Sequence, residues 1–328
     1  MKFLISGVDV SKATLDIYIL PGGQMLRISN NIEGFRSWYK EIKKQLDPDT
    51  SAFVVMEHTG SYSCKFEQFL QNKSLNYCKI SALQIKRSMG LIRGKNDKVD
   101  AVRIAEYGWL RKEQLEPDVP CSKSINRLRD LLSFRHKIVR DRSGYICRIK
   151  DLKAAGSYGN SDAIMSSHQR LLAGFTKELR TVEKQILALI KSDEDLSKTC
   201  ELLRTIKGVG VIVAASIICC TNNFKRFSNA RKFNCYAGLA PFKHESGTSI
   251  RGKARVSHLA NKDIKSLLNL AACSAIRHDP ELKNYYQKRV KEGMKKMCCL
   301  NIIRSKIVSR IFAVAKRQTP FVILPMAA

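Results

Sequence analysis

The stretch Phe3–Ser29, FLISGVDVSKATLDIYILPGGQMLRIS, decides the fold. Phe3–Asp9 is an apolar run closed by a carboxylate. Thr14–Leu20 and Met25–Ser29 are two more runs of strand character, with Pro21-Gly22-Gly23 as the turn between them. Such short links predict antiparallel neighbours. Working outward, Ile32–Leu46 sets Phe35, Trp38, Tyr39, Ile42 and Leu46 on one helical face, and Asp47-Pro48-Asp49 ends it. Ser51–Glu57 reads as a buried strand, Ser61–Gln71 as a helix and Asn76–Ile80 as a strand. After the polar Arg93-Gly94-Lys95-Asn96, a helix runs from near Asp97 to about Leu110.

This order predicts a mixed α/β sheet, antiparallel at one side and parallel at the other, as in a ribonuclease-H-like fold. Pro117 and Pro120 mark a boundary, giving a first domain over 1–120. From Ser122 to about Ala155 the chain is helical and basic. A second helix follows from about Ser161 to Ile190, with Leu171, Phe175, Leu179, Val182, Ile186 and Leu189 at three- and four-residue steps. The pair predicts an antiparallel hairpin over 121–192, a spacer or dimerising arm, and with it a homo-oligomer, dimer or tetramer. The remainder, 193–328, reads as all helical.

Hydrophobic residues make up 44% of the 328, enough for two cores. The formal net charge is +29, spread as +4 over 1–120, +7 over 121–200 and +18 over 201–328. A field of that sign points to a polyanion, and nucleic acid is the commonest. No apolar run approaches the ~20 residues that span a bilayer, so a membrane partner is not expected. The start MKFLISGVDV turns acidic too soon for a signal peptide. Eleven cysteines without a single CxxC predict reduced, buried thiols in a cytoplasmic protein, and six scattered histidines give no metal spacing.

Four carboxylates carry the chemistry. Asp9 and Glu57 end apolar strands, and the rim of an α/β sheet is where sites form. If the two strands are neighbours, the carboxylates meet at one edge. Asp97 and Asp100, three apart at a helix start, face one side. Each also has a structural reading: a strand-end turn residue, an N-cap, a first-turn acid. Clustered, they repel unless divalent cations lie between them, and Mg²⁺ is the natural partner of carboxylate and phosphate oxygens.

The second signal is YAGLAPFKHESGTSIRGKARVS, Tyr236–Ser257. An apolar helix end leads into a Gly- and Ser-rich loop holding Ser246, Gly247, Thr248, Ser249 and Gly252. Lys243, Arg251, Lys253, Arg255 and Lys262 surround it. A hydroxyl in a cationic patch suits attack on a phosphate or simple phosphate binding; a solvated basic loop would read the same. Upstream, Ile206-Lys207-Gly208-Val209-Gly210 has a helix–hairpin–helix pattern, in which Gly208 and Gly210 let backbone amides approach a phosphate or merely make an interhelix turn.

Together GVDVSK (Gly7–Lys12), VMEHTG (Val55–Gly60), GKNDKVDA (Gly94–Ala101), IKGVG (Ile206–Gly210), YAGLAP (Tyr236–Pro241), HESGTS (His244–Ser249) and RHDPELKNYYQKR (Arg277–Arg289) resemble the DEDD-type insertion-sequence transposases. That family includes the pilin-gene invertases and the bridge-RNA-guided recombinases. The resemblance implies a RuvC-like first domain, a coiled-coil arm and a helical transposase domain. It places the acidic tetrad on Asp9, Glu57, Asp97 and Asp100, and the nucleophilic serine on Ser246. Donor and target DNA, a structured guide RNA and a place in the nucleoid are further expectations. Leu259-Ala260-Asn261 stands where the family commonly has Arg-Gly-Asn, and Asn96 where Thr is commoner. A metal-dependent, structure-specific nuclease in which water attacks is the alternative, with a non-catalytic nucleic-acid scaffold as a third.

Overall fold

The first three runs form an antiparallel meander of β1 (Lys2–Val10), β2 (Thr14–Leu20) and β3 (Gln24–Ser29). Then β4 (Thr50–Glu57) and β5 (Asn76–Ile80) add in parallel on the other side of β1, giving the order β3-β2-β1-β4-β5. The computed structural model describes residues 2–58, 60–88, 90, 97–156, 159, 162–246 and 250–322, except the side chains of 61, 97, 98, 244, 246, 250 and 251. Two compact units divide the chain, Met1–Pro120 and Cys121–Ala328.

Side chains alternate across the sheet. Leu4, Val8, Leu15, Ile17, Val54 and Met56 share a core with Phe35 and Trp38 of α1 (Ile32–Lys43) and Phe66 of α2 (Cys64–Asn72). Phe66 lies 5.0 Å from the Phe35 ring and 5.2 Å from the Trp38 ring. Ile5, Phe53, Val55 and Cys78 face the opposite way, with Ile85 of α3 (Ala82–Ser88) and Ile104 and Tyr107 of α4 (Asp97–Leu110). Covered on both faces, β1 carries an unbroken apolar run rather than an alternating one. The short α3 has one buried residue, Ile85, too little periodicity to announce itself.

On this face α4 lies almost against the backbone of β1. A Cβ on Gly7 would fall 2.2 Å from the Ala105 amide nitrogen, and one on Gly108 2.7 Å from Val55 and 2.9 Å from Ile5.

In the second unit, α5 (Lys123–Ala154) and α6 (Ala163–Ser192) start at the caps Ser122 and Asp162, whose side chains accept from Ile125 N and from Ile164 and Met165 N. Arg135 donates to Glu183 and Arg142 to Thr176, so the helices run antiparallel. Leu128, Leu131, Ile138, Val182, Ile186 and Ile190, toward one end of the pair, join one core with α7 (Glu194–Arg204), α8 (Val211–Thr221), α9 (Ala230–Tyr236), α10 (Lys262–His278), α11 (Pro280–Lys291) and α12 (Lys296–Arg317). Arg310 of α12 clasps Asp279, the buried cap of α11, and Glu281, each at 2.6 Å.

The region after α9 corrects the all-helical expectation. Pro241–Ser246 (β6) and Ile250–Val256 (β7) pair antiparallel as a two-stranded hairpin. PFKHES and IRGKARV have no apolar stripe at helical spacing. The basic residues hid a period-two pattern that pairs Glu245 with Arg251 and Phe242 with Arg255. Gly247, Thr248 and Ser249 lie outside the described residues.

Reduced, buried thiols were expected; Cys78, Cys200, Cys219 and Cys299 are buried, while Cys64, Cys147 and Cys298 are exposed. All are free. Burial pushes Cys78 and Cys220 up to about 12, so neither is a ready thiolate.

Gly7→Ala should drive α4 off the sheet. The obstacle is backbone, which cannot rotate away, so chemical denaturation should register a loss at the upper end of the ~1–3 kcal/mol typical of overpacking. The same change at Gly174, where a Cβ meets nothing within 4 Å, should be neutral or stabilising.

Candidate functional site

Strand register places two of the candidate carboxylates of the first unit. Val8 of β1 pairs with Met56 of β4, so the next residues, Asp9 and Glu57, stand side by side on adjacent parallel strands. Both are half-buried. On its other side Asp9 pairs with Asp16 of β2, and Asp16 with Arg27 of β3. In-register neighbours share a face. One row across the sheet therefore reads Glu57, Asp9, Asp16, Arg27.

That face is the one α4 covers. Gly108 sits over Ile5, and Ala105 over Gly7. Residue numbers fall along α4 as they rise along β1, so the next turn brings Ala101 and Asp100 toward Asp9, with Asp97 at the helix start. Asp100 is half-buried and accepts from Arg103 Nη1 at 3.0 Å. The side chain of Asp97 lies outside the described residues. Among those described, no three Asp, Glu, His or Cys side chains come close enough to hold a metal ion. Oxygen donors at the rim of a sheet are nonetheless the set that Mg²⁺ takes.

Two supports went unread in the sequence. Asp16 is 1% exposed, bonded to Arg27 at 3.4 Å through one oxygen, while Oδ1 has no partner among the described residues. An inward carboxylate in the run TLDIYIL was its only signal. Asn30 donates to the carbonyls of Ser11, just past Asp9, and Tyr62, just past Glu57, at 2.9 and 3.1 Å. It ties together the loops that follow the two rim carboxylates.

A separate set of candidate residues lies in the second unit. Ser246 is the last residue of β6 and pairs with Ile250; its side chain is outside the described set. Lys243, Lys253 and Arg255 are exposed on the hairpin, and the side chain of Arg251 is likewise outside the described set. Among the described residues Lys243 has one loose ion-pair partner, Glu245 at 3.8 Å, both well exposed, a pairing too weak to occupy its charge. The two glycines of IKGVG differ. Gly208, at φ +92°, is pressed on α10, where a Cβ would meet the Ala271 carbonyl at 2.4 Å. Gly210 is the N-cap of α8, with open space around it and no side-chain cap, so it leaves the first amides of that helix unclaimed by a cap.

Two family models match the chain. One, for DEDD transposases of the IS110 type, covers residues 6–152; the other, described as the transposase IS116/IS110/IS902 family, covers residues 200–287. Between them they span more than two thirds of the sequence. The pilin gene-inverting protein of Moraxella bovis is 25% identical over 96% of both chains. The transposase for insertion sequence element IS1111A of Coxiella burnetii is 24% identical over 69% of this chain and 68% of its own. A protein of the insertion element IS110 from Streptomyces coelicolor is 29% identical over 49% of this chain and 38% of its own.

The Asp16–Arg27 pair should be coupled. Arg27→Met alone strands a buried carboxylate and should destabilise, and Asp16→Asn in that background should restore much of the loss. A double-mutant cycle should give a coupling of at least ~1 kcal/mol; a value within ~0.5 kcal/mol would mean that Arg27 is a solvated edge residue.

Proposed function

We propose how this chain, which belongs to the IS116/IS110/IS902 family of transposases, cuts and rejoins DNA: carboxylates of Met1–Pro120 hold divalent metal, and Ser246 of Cys121–Ala328 is the nucleophile. The observation that carries the metal half is the alignment of Asp9 and Glu57 at one sheet edge beneath the N-terminal end of α4. We read the sheet as ribonuclease-H-like on the same ground. Asp9, Glu57, Asp97 and Asp100 would hold Mg²⁺, which when bound polarises the phosphate and offsets developing negative charge.

The remaining work falls to the chain. Ser246 Oγ attacks phosphorus, an O–P bond forms, and the bond to the leaving DNA oxygen breaks. The serine proton ends on that oxygen. The reverse attack, by a DNA hydroxyl on the phosphoserine, joins the new ends and returns the proton to serine, so no bond energy is lost to water. Lys243, Arg251, Lys253 and Arg255 would steady the phosphate and its neighbours. Gly210 would offer backbone amides to a further phosphate, and Gly208 sets the turn before it. A structured RNA choosing the target, carried by the resemblance, and an assembly of two or four copies, carried by the helical hairpin, complete the proposal. In the described residues no helix is long and apolar enough to cross a membrane.

A nicked substrate whose ends cannot rejoin should trap a protein–DNA adduct that survives denaturant. Ser246→Ala should abolish the adduct while leaving affinity within a few-fold, since one hydroxyl contributes only ~1 kcal/mol. Cleavage by Ser246→Ala at the same position would make water the attacker and favour the nuclease.

Asp9→Asn and Asp100→Asn should each abolish strand transfer, with metal-free melting temperatures that hold or rise as repulsion falls. Recombination surviving both substitutions in Mg²⁺ would overturn the metal assignment.

A further inference from the structure

Arg304, midway along α12, is 5% exposed and has no acidic partner among the described residues. Its Nη2 donates to Asn269 Oδ1 at 2.5 Å, a neutral acceptor, and its Nε is buried with no partner among the described residues. Buried charges are ordinarily paired. The contrast lies six residues on, where Arg310 holds two carboxylates.

A second cation joins it. Lys265 precedes Asn269 by one turn of α10, so both occupy the helix face that meets α12. Its Nζ lies 3.8 Å from where a Cβ on Gly238 would stand, a point also 3.6 Å from the Ser257 carbonyl. Gly238 and Ser257 are where the chain enters and leaves the β6–β7 hairpin. Burial holds the Lys265 ammonium below its usual range, and the charge of Arg304 lowers it further; burial likewise lowers Arg304. The acid nearest in sequence, Asp263, is largely exposed and faces His136 at 3.8 Å. Arg304 and Lys265 thus repel each other at the root of the hairpin that carries Ser246.

We propose that Arg304 and Lys265 form a binding site for one backbone phosphate of the DNA, at the foot of the β6–β7 hairpin. The proposal rests on DNA being the substrate. A phosphate oxygen accepting from the Lys265 ammonium would set its negative charge beside the Arg304 guanidinium and turn their repulsion into attraction. Lys265 is half-exposed, which gives the anion a route in. A strand anchored there is held a fixed distance from the serine, so the site positions the backbone and takes no part in bond making.

The test uses the full chain and Lys265→Met, with the exposed Lys198→Met of α7 as control. In phosphate-free buffer Lys265→Met should melt above wild type, because one of two repelling cations is gone. Inorganic phosphate should raise the wild-type melting temperature beyond chloride of equal ionic strength, and leave Lys265→Met unmoved. For DNA binding, the slope of log affinity against log salt should fall by about one in Lys265→Met and stay unchanged in Lys198→Met. Phosphate stabilisation that persists in Lys265→Met, or is absent in wild type, overturns the site. An unchanged DNA slope beside a lost phosphate effect makes it a free-phosphate site and overturns the assignment to DNA. If wild type binds no DNA at all, the substrate reading itself fails, a separate outcome from either.

Discussion

The first unit depends on one close approach, that of α4 to β1 at Gly7. With no side chain on Gly7 the Ala105 backbone can press on the strand, and Gly108 repeats the device at Ile5 and Val55. The helix is thereby fixed along its axis, and the backbone at its start is held relative to Asp9. Register supplies the other coordinate. A slip of one residue between β1 and β4 would send Glu57 to the α1–α2 side, where Trp38 and Phe66 fill the space. Two packing constraints, both made of apolar or absent side chains, thus set Asp9 beside Glu57 and place the start of α4.

Much of this was legible. The strands Thr14–Leu20 and Asn76–Ile80 and the helix Asp97–Leu110 stand where periodicity put them, because each carries a strong local signal. The hairpin at 241–256 did not, since glycines, serines and basic residues signal loops whether or not the backbone pairs. Asp16 was invisible for another reason: one buried carboxylate in an apolar run looks like an ordinary strand residue until register sets it beside Asp9. Gly208 also reads differently in three dimensions, its freedom being needed for contact with α10.

The second unit distributes its charge unevenly in a way that composition cannot convey. Arg310, clasped by Asp279 and Glu281, is a structural bolt between α11 and α12. Arg304, on the same helix, is sequestered without an acidic partner among the described residues. Tyr285 is approached by both Arg289 and Lys306, at 5.5 and 4.5 Å from its ring, so its face is already used within the fold and is not left for a base to stack on.

The paired helices α5 and α6 have the proportions of a lever. At 1.5 Å per residue, α6 alone extends about 45 Å, and tilting it by roughly 10° at its root would swing its far end by about 8 Å. Tyr145 stacked near His168 and Phe175, with Leu152 and Met165 buried beyond them, keeps the outer half from bending. Small adjustments in the core around Leu128 and Ile186 are therefore transmitted, amplified, to whatever the tip touches.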